Sequence, residues 1–123
     1  MGRVLDFEYY NMDKLCSRVH VDYDSQTIDV ENFTDFVLDQ AFGRQELTMD
    51  VIDDFFRERV FPETRVNCRE LLDMLGFQHF DAEAIARVTH GILFNDTYWV
   101  RFDNEDLSYD DVLRLRKEWY ETE

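Results

Sequence analysis

Apolar and polar residues alternate along residues 18–23, and this alternation restricts the fold more than any other feature of the sequence. A period of two is typical of a β-strand with one buried face and one exposed face. Residues 24–26, Asp-Ser-Gln, favour a turn, and the alternation resumes over residues 27–30. The sequence therefore predicts a β-hairpin over about residues 18–30, and residues 4–7 indicate a further short strand before it.

From Glu31 onward the spacing of the apolar residues becomes that of a helix. This first helix is expected to end near Gly43, because glycine readily adopts the left-handed conformation that follows many helices. Its buried stripe would consist of Phe33, Phe36, Val37 and Ala41. Four more helices are expected after residues that favour the N-cap position, which are Thr48, Thr64, Asp81 and Ser108.

The ends of three of these helices are also predicted. Pro62 would stop the second helix, and Gly76 and Gly91 would follow the third and the fourth. The fourth helix would turn Ile85 and Val88 toward the core. The last helix would begin with a capping box and run to about residue 120. Its buried side would carry Val112, Leu115 and Trp119.

Residues 97–102 are rich in aromatic and β-branched side chains, which predicts a strand. The Asn-Asp pair at residues 95–96 would form the turn that opens it. Tyr98 or Trp99 is expected to anchor the core, and the alternative is an aromatic anchor exposed to a partner. The sequence thus predicts a single α+β domain over residues 1–123. Its small antiparallel sheet, made of the hairpin and this strand, would pack with about five helices.

The excess of acidic residues indicates which kind of partner the chain would bind. The 123 residues include 28 Asp and Glu against 13 Lys and Arg, for a formal net charge of −15. Because 45% of the residues are hydrophobic, a core can form and general disorder is excluded. Carboxylates repel phosphates, so we expect a basic protein surface as partner and no direct contact with nucleic acid. Membrane insertion is not expected, since no apolar run approaches the ~18 residues of a span.

Few residues are candidates for catalysis or metal binding. Cys16 and Cys68 lack paired spacing, which favours reduced thiols in the cytoplasm, with Cys68 in the core. Cys16 and His20 are four residues apart, but a zinc site needs about four ligands, and neither His79 nor His90 adds a paired spacing. Phosphate-binding and acyl-transfer motifs are absent. We therefore expect no catalytic residue, no metal and no cofactor.

The acidic residues are more informative as a set. One group runs through the hairpin and the first predicted helix, where Asp35 and Asp39 would share the outer face because they are four residues apart. A second group surrounds the turn before the last helix. The alternative to a binding surface is an ordinary solvated exterior. The candidate partner-binding residues are Asp22, Asp24, Asp29, Glu31, Asp35, Asp39, Asp103, Glu105, Asp106 and Asp110.

Three segments together form a recognisable pattern. Residues 56–65 read FRERVFPETR and are followed by a leucine-rich helix, residues 90–100 read HGILFNDTYWV, and residues 107–112 read LSYDDV. Over about residues 48–113 this pattern resembles the N-terminal region of HipA-type kinases, with its elements R-x-(I/V)-P-x-x-R and G-L-S-L-N-D-x-Y-W-(I/V). No glycine-rich loop or catalytic Asp motif follows. The resemblance therefore implies a stand-alone, non-catalytic copy of that region and not a kinase.

Two functional hypotheses follow. The size, the charge and the lack of catalytic motifs are similar to those of phage and plasmid anti-defence proteins, including anti-CRISPR and anti-restriction proteins. The first hypothesis is an acidic, non-catalytic inhibitor from a mobile element that occupies the basic nucleic-acid site of a CRISPR effector or restriction nuclease. The alternative, implied by the resemblance, is an antitoxin-like or regulatory module that binds a HipA-type kinase through residues 59–65 and 95–100.

Overall fold

The protein was analysed as a computed structural model, which describes residues 3–61, 63–64, 66–93, 97–103 and 105–120, with side chains to residue 114. Within these ranges three strands come first, three helices follow, and a strand and a helix complete the order. The elements are β1 (Val4–Asn11), β2 (Lys14–Asp22), β3 (Thr27–Asn32), α1 (Met49–Glu58), α2 (Cys68–Leu75), α3 (Ala82–Thr89), β4 (Tyr98–Phe102) and α4 (Tyr109–Tyr120).

The four strands form one antiparallel sheet in the order β3-β2-β1-β4. The predicted hairpin is confirmed as β2 and β3, with Val19 opposite Val30 and Val21 opposite Ile28. The predicted strand at residues 97–102 is confirmed as β4, and the early strand is confirmed as β1 and is longer than expected. The α+β fold class is therefore correct.

Alternation along the strands gives the sheet one apolar face, which the first three helices cover. Leu5, Phe7, Val19 and Val21 on this face are at most 1% exposed. The ring of Phe7 lies 5.4 Å from that of Phe55 and 5.2 Å from that of Phe56, both on α1. Burial of such aromatic side chains is the main source of stability in a small domain.

A second, smaller core lies on the opposite face, where α4 covers one end of the sheet. Trp99 is 1% exposed and packs with Ile92 and Val112, which are fully buried. Its ring stacks on Tyr10 at 4.7 Å, and its indole N–H donates to the carbonyl of Met12 at 2.6 Å. Trp99 is thus a core anchor, as the first of the two interpretations predicted.

The helix predicted between Glu31 and Gly43 is wrong. Residues 33–43 contain only a 3-10 turn at Val37–Asp39. The hydroxyl of Thr34 accepts from the N–H of Phe36 at 3.2 Å, and the side chain of Gln40 donates to the carbonyl of Thr34 at 2.9 Å. These local bonds satisfy backbone groups outside a helix. The described residues consequently form four α-helices and not about five.

Several predicted helix ends are confirmed. Asp81 accepts the N–H of Ala84 at 3.1 Å and so caps α3. Ser108 and Asp111 form the expected capping box at the start of α4. Gly76 follows α2 with a left-handed φ of +86°. These signals were readable because capping bonds depend on residues close in the chain.

Two details of the helices differ from prediction. Thr64 does not cap α2, which begins only after Asn67. Val88 is 39% exposed and not inward, because the buried stripe of α3 consists of Ala82, Ile85, Ala86 and Thr89. Several predictions lie outside the described residues: the stop at Pro62, the turn at residues 95–96, and the side chains of Leu115 and Trp119.

Candidate functional site

The face of the sheet that α1, α2 and α3 leave uncovered carries charged side chains in two cross-strand rows. We call the residues of these rows the charged face. The first row, across all four strands, is Glu31, Arg18, Glu8 and Arg101. The second row, across β3, β2 and β1, is Asp29, His20 and Asp6. Acidic and basic residues alternate along both rows, so neighbours attract each other.

Glu8 lies at the centre of the charged face and is only 5% exposed. Its Oε2 accepts from Arg18 at 3.1 Å, and its Oε1 accepts from Arg101 at 2.6 Å. Burial alone would lower the pKa of Arg101, but the hydrogen bond and the charge of Glu8 outweigh it and raise the pKa. The guanidinium of Arg101 also lies 5.1 Å from the ring centre of Tyr10. The carboxylate of Glu8 is therefore neutralised within the charged face.

His20 occupies the second row beside several carboxylates. Its Nδ1 lies 2.5 Å from Oδ1 of Asp6. This hydrogen bond and the charge of Asp6 raise the pKa of His20, and the charges of Asp29 and Asp22 add to the effect. The imidazolium is therefore favoured at mildly acidic pH.

Negative charge accumulates toward the β3 edge of the face. Asp22 accepts the N–H groups of Asp24 and Ser25 at 3.0 and 3.3 Å, and so shapes the tip of the hairpin. Glu31 has a distant ion pair with Arg18, at 3.7 Å. Asp24, Asp29 and Asp35 are exposed and form no ion pair within the described part of the chain. The first predicted acidic group therefore follows one sheet edge.

Asp39 does not belong to this exposed group, contrary to prediction. It is only 7% exposed, and its carboxylate accepts a hydrogen bond from the hydroxyl of Tyr98. Asp35 remains exposed, so the two residues do not share an outer helical face. The cause is the loss of the predicted helix: the 3-10 turn directs Asp39 inward.

The second acidic group lies at the far edge of the sheet and is partly used by the fold. Asp103 pairs with Arg87 at 3.0 Å, and Glu105 accepts the N–H of Phe102 at 2.9 Å. Asp106 and Asp110 are exposed. Because β1 and β2 separate β4 from β3, the two predicted groups lie at opposite edges of the sheet.

Apolar side chains beside the first acidic group were missed by the sequence analysis. Phe33, Phe36 and Leu38 are 43%, 57% and 74% exposed. We call residues 33–38 the apolar loop. The helical spacing of Phe33 and Phe36 led to the prediction of a buried stripe, which did not include Leu38, and the only available warning was Thr34, which favours local backbone bonds. Exposed aromatic residues next to charges are typical of protein interfaces.

Cysteine and metal chemistry find little support in the structure. Cys16 and Cys68 are both buried and unpaired, and Cys68 lies in the core as predicted. Burial and the charge of Asp39 raise the pKa of the Cys16 thiol, which disfavours the reactive thiolate. Among the described residues, no group of three or more His, Cys, Asp or Glu side chains is arranged to hold a metal ion.

The segments that resemble HipA-type kinases meet inside the fold. Arg59, which is 6% exposed, donates to the carbonyls of Gly91 and Tyr98 at 2.8 and 2.7 Å. Trp99 and Val100 are buried as well. Arg59 thus joins the end of α1 to β4, whereas Pro62, Arg65 and residues 94–96 lie outside the described part.

Comparison with known proteins identifies no family for this chain. No family model, no curated protein and no solved structure matches the chain. In addition, none of the described helices has the length and apolar character needed to cross a membrane. The function must therefore be argued from the surface itself.

Proposed function

We propose that the chain is a non-catalytic acidic binding protein that occupies the basic nucleic-acid site of a nucleic-acid-handling protein. A CRISPR effector or a restriction nuclease from the host of a mobile element is the expected target. The observation that carries the proposal is a set of exposed carboxylates that form no ion pair among the described residues, Asp24, Asp29 and Asp35, beside exposed aromatic side chains.

The negative charge supports this proposal because it would raise the rate of association with a basic partner. A net charge of −15 attracts a surface built to hold phosphates and speeds the encounter. Asp24 and Asp35 form no ion pair among the described residues, so binding to them displaces no internal ion pair there. Phe36 and Leu38 would then supply the apolar contacts that charge alone lacks.

The proposal is tested by measuring the affinity of the purified chain for a panel of CRISPR effector nucleases and restriction nucleases. We expect binding to one class, competition by its DNA or RNA, and loss of affinity as salt rises from ~0.1 to ~0.5 M. The double variant Asp24→Lys and Asp35→Lys should weaken that binding by about tenfold or more, because like charges then face each other.

The matched control changes the same amount of charge elsewhere. Asp54 and Glu58 are exposed on α1, and α1 covers the opposite face of the sheet. Asp54→Lys with Glu58→Lys should leave affinity nearly unchanged. Equal losses in the two double variants would show attraction by net charge alone, and absence of binding across the panel would refute the proposed function.

The alternative function, a regulatory module that binds a HipA-type kinase, has less support from the exposure of its contact residues. Its proposed contact residues Arg59, Trp99 and Val100 are buried, so a partner cannot reach them in this structure. Retention of a HipA-type kinase by the chain at ~0.5 M salt would favour it. For either function we propose a cytoplasmic location, since both buried cysteines are unpaired.

A further inference from the structure

The two edges of the sheet differ in how their backbone groups are satisfied. Along β4, the N–H of Val100 donates to the carbonyl of His90 at 2.7 Å. The guanidinium of Arg59 donates to the carbonyls of Tyr98 and Gly91 on the same side. The β4 edge is therefore closed by the chain itself, which is how proteins protect an edge from pairing with other strands.

The β3 edge is open in the part of the chain that the structure describes, where β3 pairs with β2 alone. The N–H of Phe33 donates to the carbonyl of Cys16 at 2.8 Å, which sets the phase of the pairing. Antiparallel bonding alternates along a strand, so the backbone groups of Ile28, Val30 and Asn32 point away from β2. These groups are positioned to pair with an added strand.

The side chains at this edge indicate what such a strand would carry. Asp29 and Glu31 lie on the charged face, while Ile28 and Val30 lie on the apolar face and are half-buried. A cleft of about 230 Å³ beside the edge is lined by Asp29, Glu31 and Val30 of β3 and by their cross-strand neighbours Arg18 and His20 of β2, so the acidic side chains are the ones at the edge itself. An added strand that alternates basic and apolar residues would match both faces. The exposed side chains of the apolar loop follow directly after β3.

A second copy of this chain fits the edge poorly. Antiparallel pairing of two β3 strands would place Asp29 and Glu31 of both copies on one face. Like charges opposite each other destabilise a strand pair, and each copy also carries a net charge of −15. Charge complementarity thus selects a basic strand over self-association.

We propose that the free edge of β3 takes up an extended basic segment of a partner protein as a fifth strand of the sheet. This proposal rests on the proposed function, because it specifies how the basic partner is held. Backbone hydrogen bonds along β3 provide affinity, while Asp29 and Glu31 select basic side chains. The apolar loop then contacts the partner beyond the added strand.

The test uses a synthetic peptide of alternating Lys and Val, long enough to span β3, added to the full chain. NMR should show new hydrogen-exchange protection at the amides of Ile28, Val30 and Asn32. The same peptide methylated on its backbone nitrogens should bind about tenfold more weakly, because its hydrogen bonds are lost. A peptide of alternating Glu and Val should not bind.

A pair of variants tests the edge on the protein side. Val30→Pro removes an outward N–H and no bond to β2, so it should reduce peptide affinity by about tenfold. Val30→Thr keeps the N–H and should bind like the unmodified chain. Circular dichroism and thermal unfolding verify that both variants fold. If Val30→Pro does not fold, the methylated peptide still tests whether backbone hydrogen bonds at the β3 edge are needed for binding.

The peptide and variant experiments can overturn the fifth-strand proposal without overturning the proposed function. Equal binding of Val30→Pro and Val30→Thr, equal binding of the methylated peptide, or no protection in β3 would overturn the fifth-strand proposal. A dimer that Val30→Pro dissociates would overturn it as well, since a second copy would then fill the edge. If nuclease binding persists in these cases, the proposed function stands without the fifth strand.

Discussion

The two faces of the sheet obtain their stability in different ways, although the same strands build both. Along β1, Leu5 and Phe7 enter the apolar core, while Asp6 and Glu8 alternate with them on the charged face. The apolar face is covered by helices and is unavailable to other molecules. On the charged face, cross-strand ion pairs stabilise the sheet, and α1, α2 and α3 do not cover it. This face is therefore the one that a partner can reach.

The largest expected effect comes from removing an aromatic ring on the apolar face. Phe7 is 1% exposed and packs against Phe55, Phe56 and Phe102. Phe7→Ala should lower the free energy of unfolding by about 3–5 kcal/mol, because it removes buried area and leaves a cavity. Urea denaturation measures this loss, and a loss below about 1 kcal/mol would contradict the assignment of this face as the main core.

A smaller loss is expected from the neighbouring position on the charged face. Glu8→Gln removes the carboxylate that Arg18 and Arg101 share, so it should cost about 1.5–3 kcal/mol. The matched control is Glu31→Gln, since Glu31 is exposed and lies 3.7 Å from Arg18. This control should change stability by less than about 1 kcal/mol. Equal effects of the two substitutions would show that burial of Glu8 adds nothing to the pairing.

The smallest effect concerns the pH dependence of the charged face. Asp6 raises the pKa of His20 above its ordinary value of 6.5. The resulting stabilisation is fully present below 6.5 and is lost as pH rises through the higher pKa of the folded state. NMR titration of His20 should show this raised pKa, and Asp6→Asn should lower it. A pKa at or below 6.5 in the unmodified chain would show that the pair does not form in solution.

Thermal unfolding provides a second measurement of the same pair. The unmodified chain should exceed Asp6→Asn in stability by more at about pH 5.5 than at about pH 8.5. Phe7→Ala removes no titratable group, so the stability that it costs should show no such shift between the two pH values.

Much of the fold was readable from local sequence patterns. The hairpin of β2 and β3 follows from alternation, and the caps at Asp81 and Ser108 follow from residues close in the chain. Periodicity failed over the apolar loop, where helical spacing occurs without a helix. There, Thr34 and Gln40 satisfy the backbone locally, and an apolar pattern alone does not reveal whether such bonds replace helical ones.

The candidate site was only partly readable. Asp22, Asp24, Asp29 and Glu31 were identified by composition and do lie together at one edge. The burial of Asp39 depends on Tyr98, which is 59 residues away in the chain, so no local pattern predicts it. The separation of the second acidic group likewise depends on the strand order, which places β4 at the opposite edge.

By itself, the sequence determined the α+β class, the hairpin, the helix caps at Asp81 and Ser108, and the net negative charge. These properties depend on periodicity, capping and composition, which act over a few residues or over the chain as a whole. Only the tertiary structure decided that Glu8 is buried between two arginines, that Arg59 closes the β4 edge, and that β3 pairs with β2 alone in the described part of the chain. Those outcomes depend on strand order and on contacts between residues far apart in the chain, which pair only when the sheet forms.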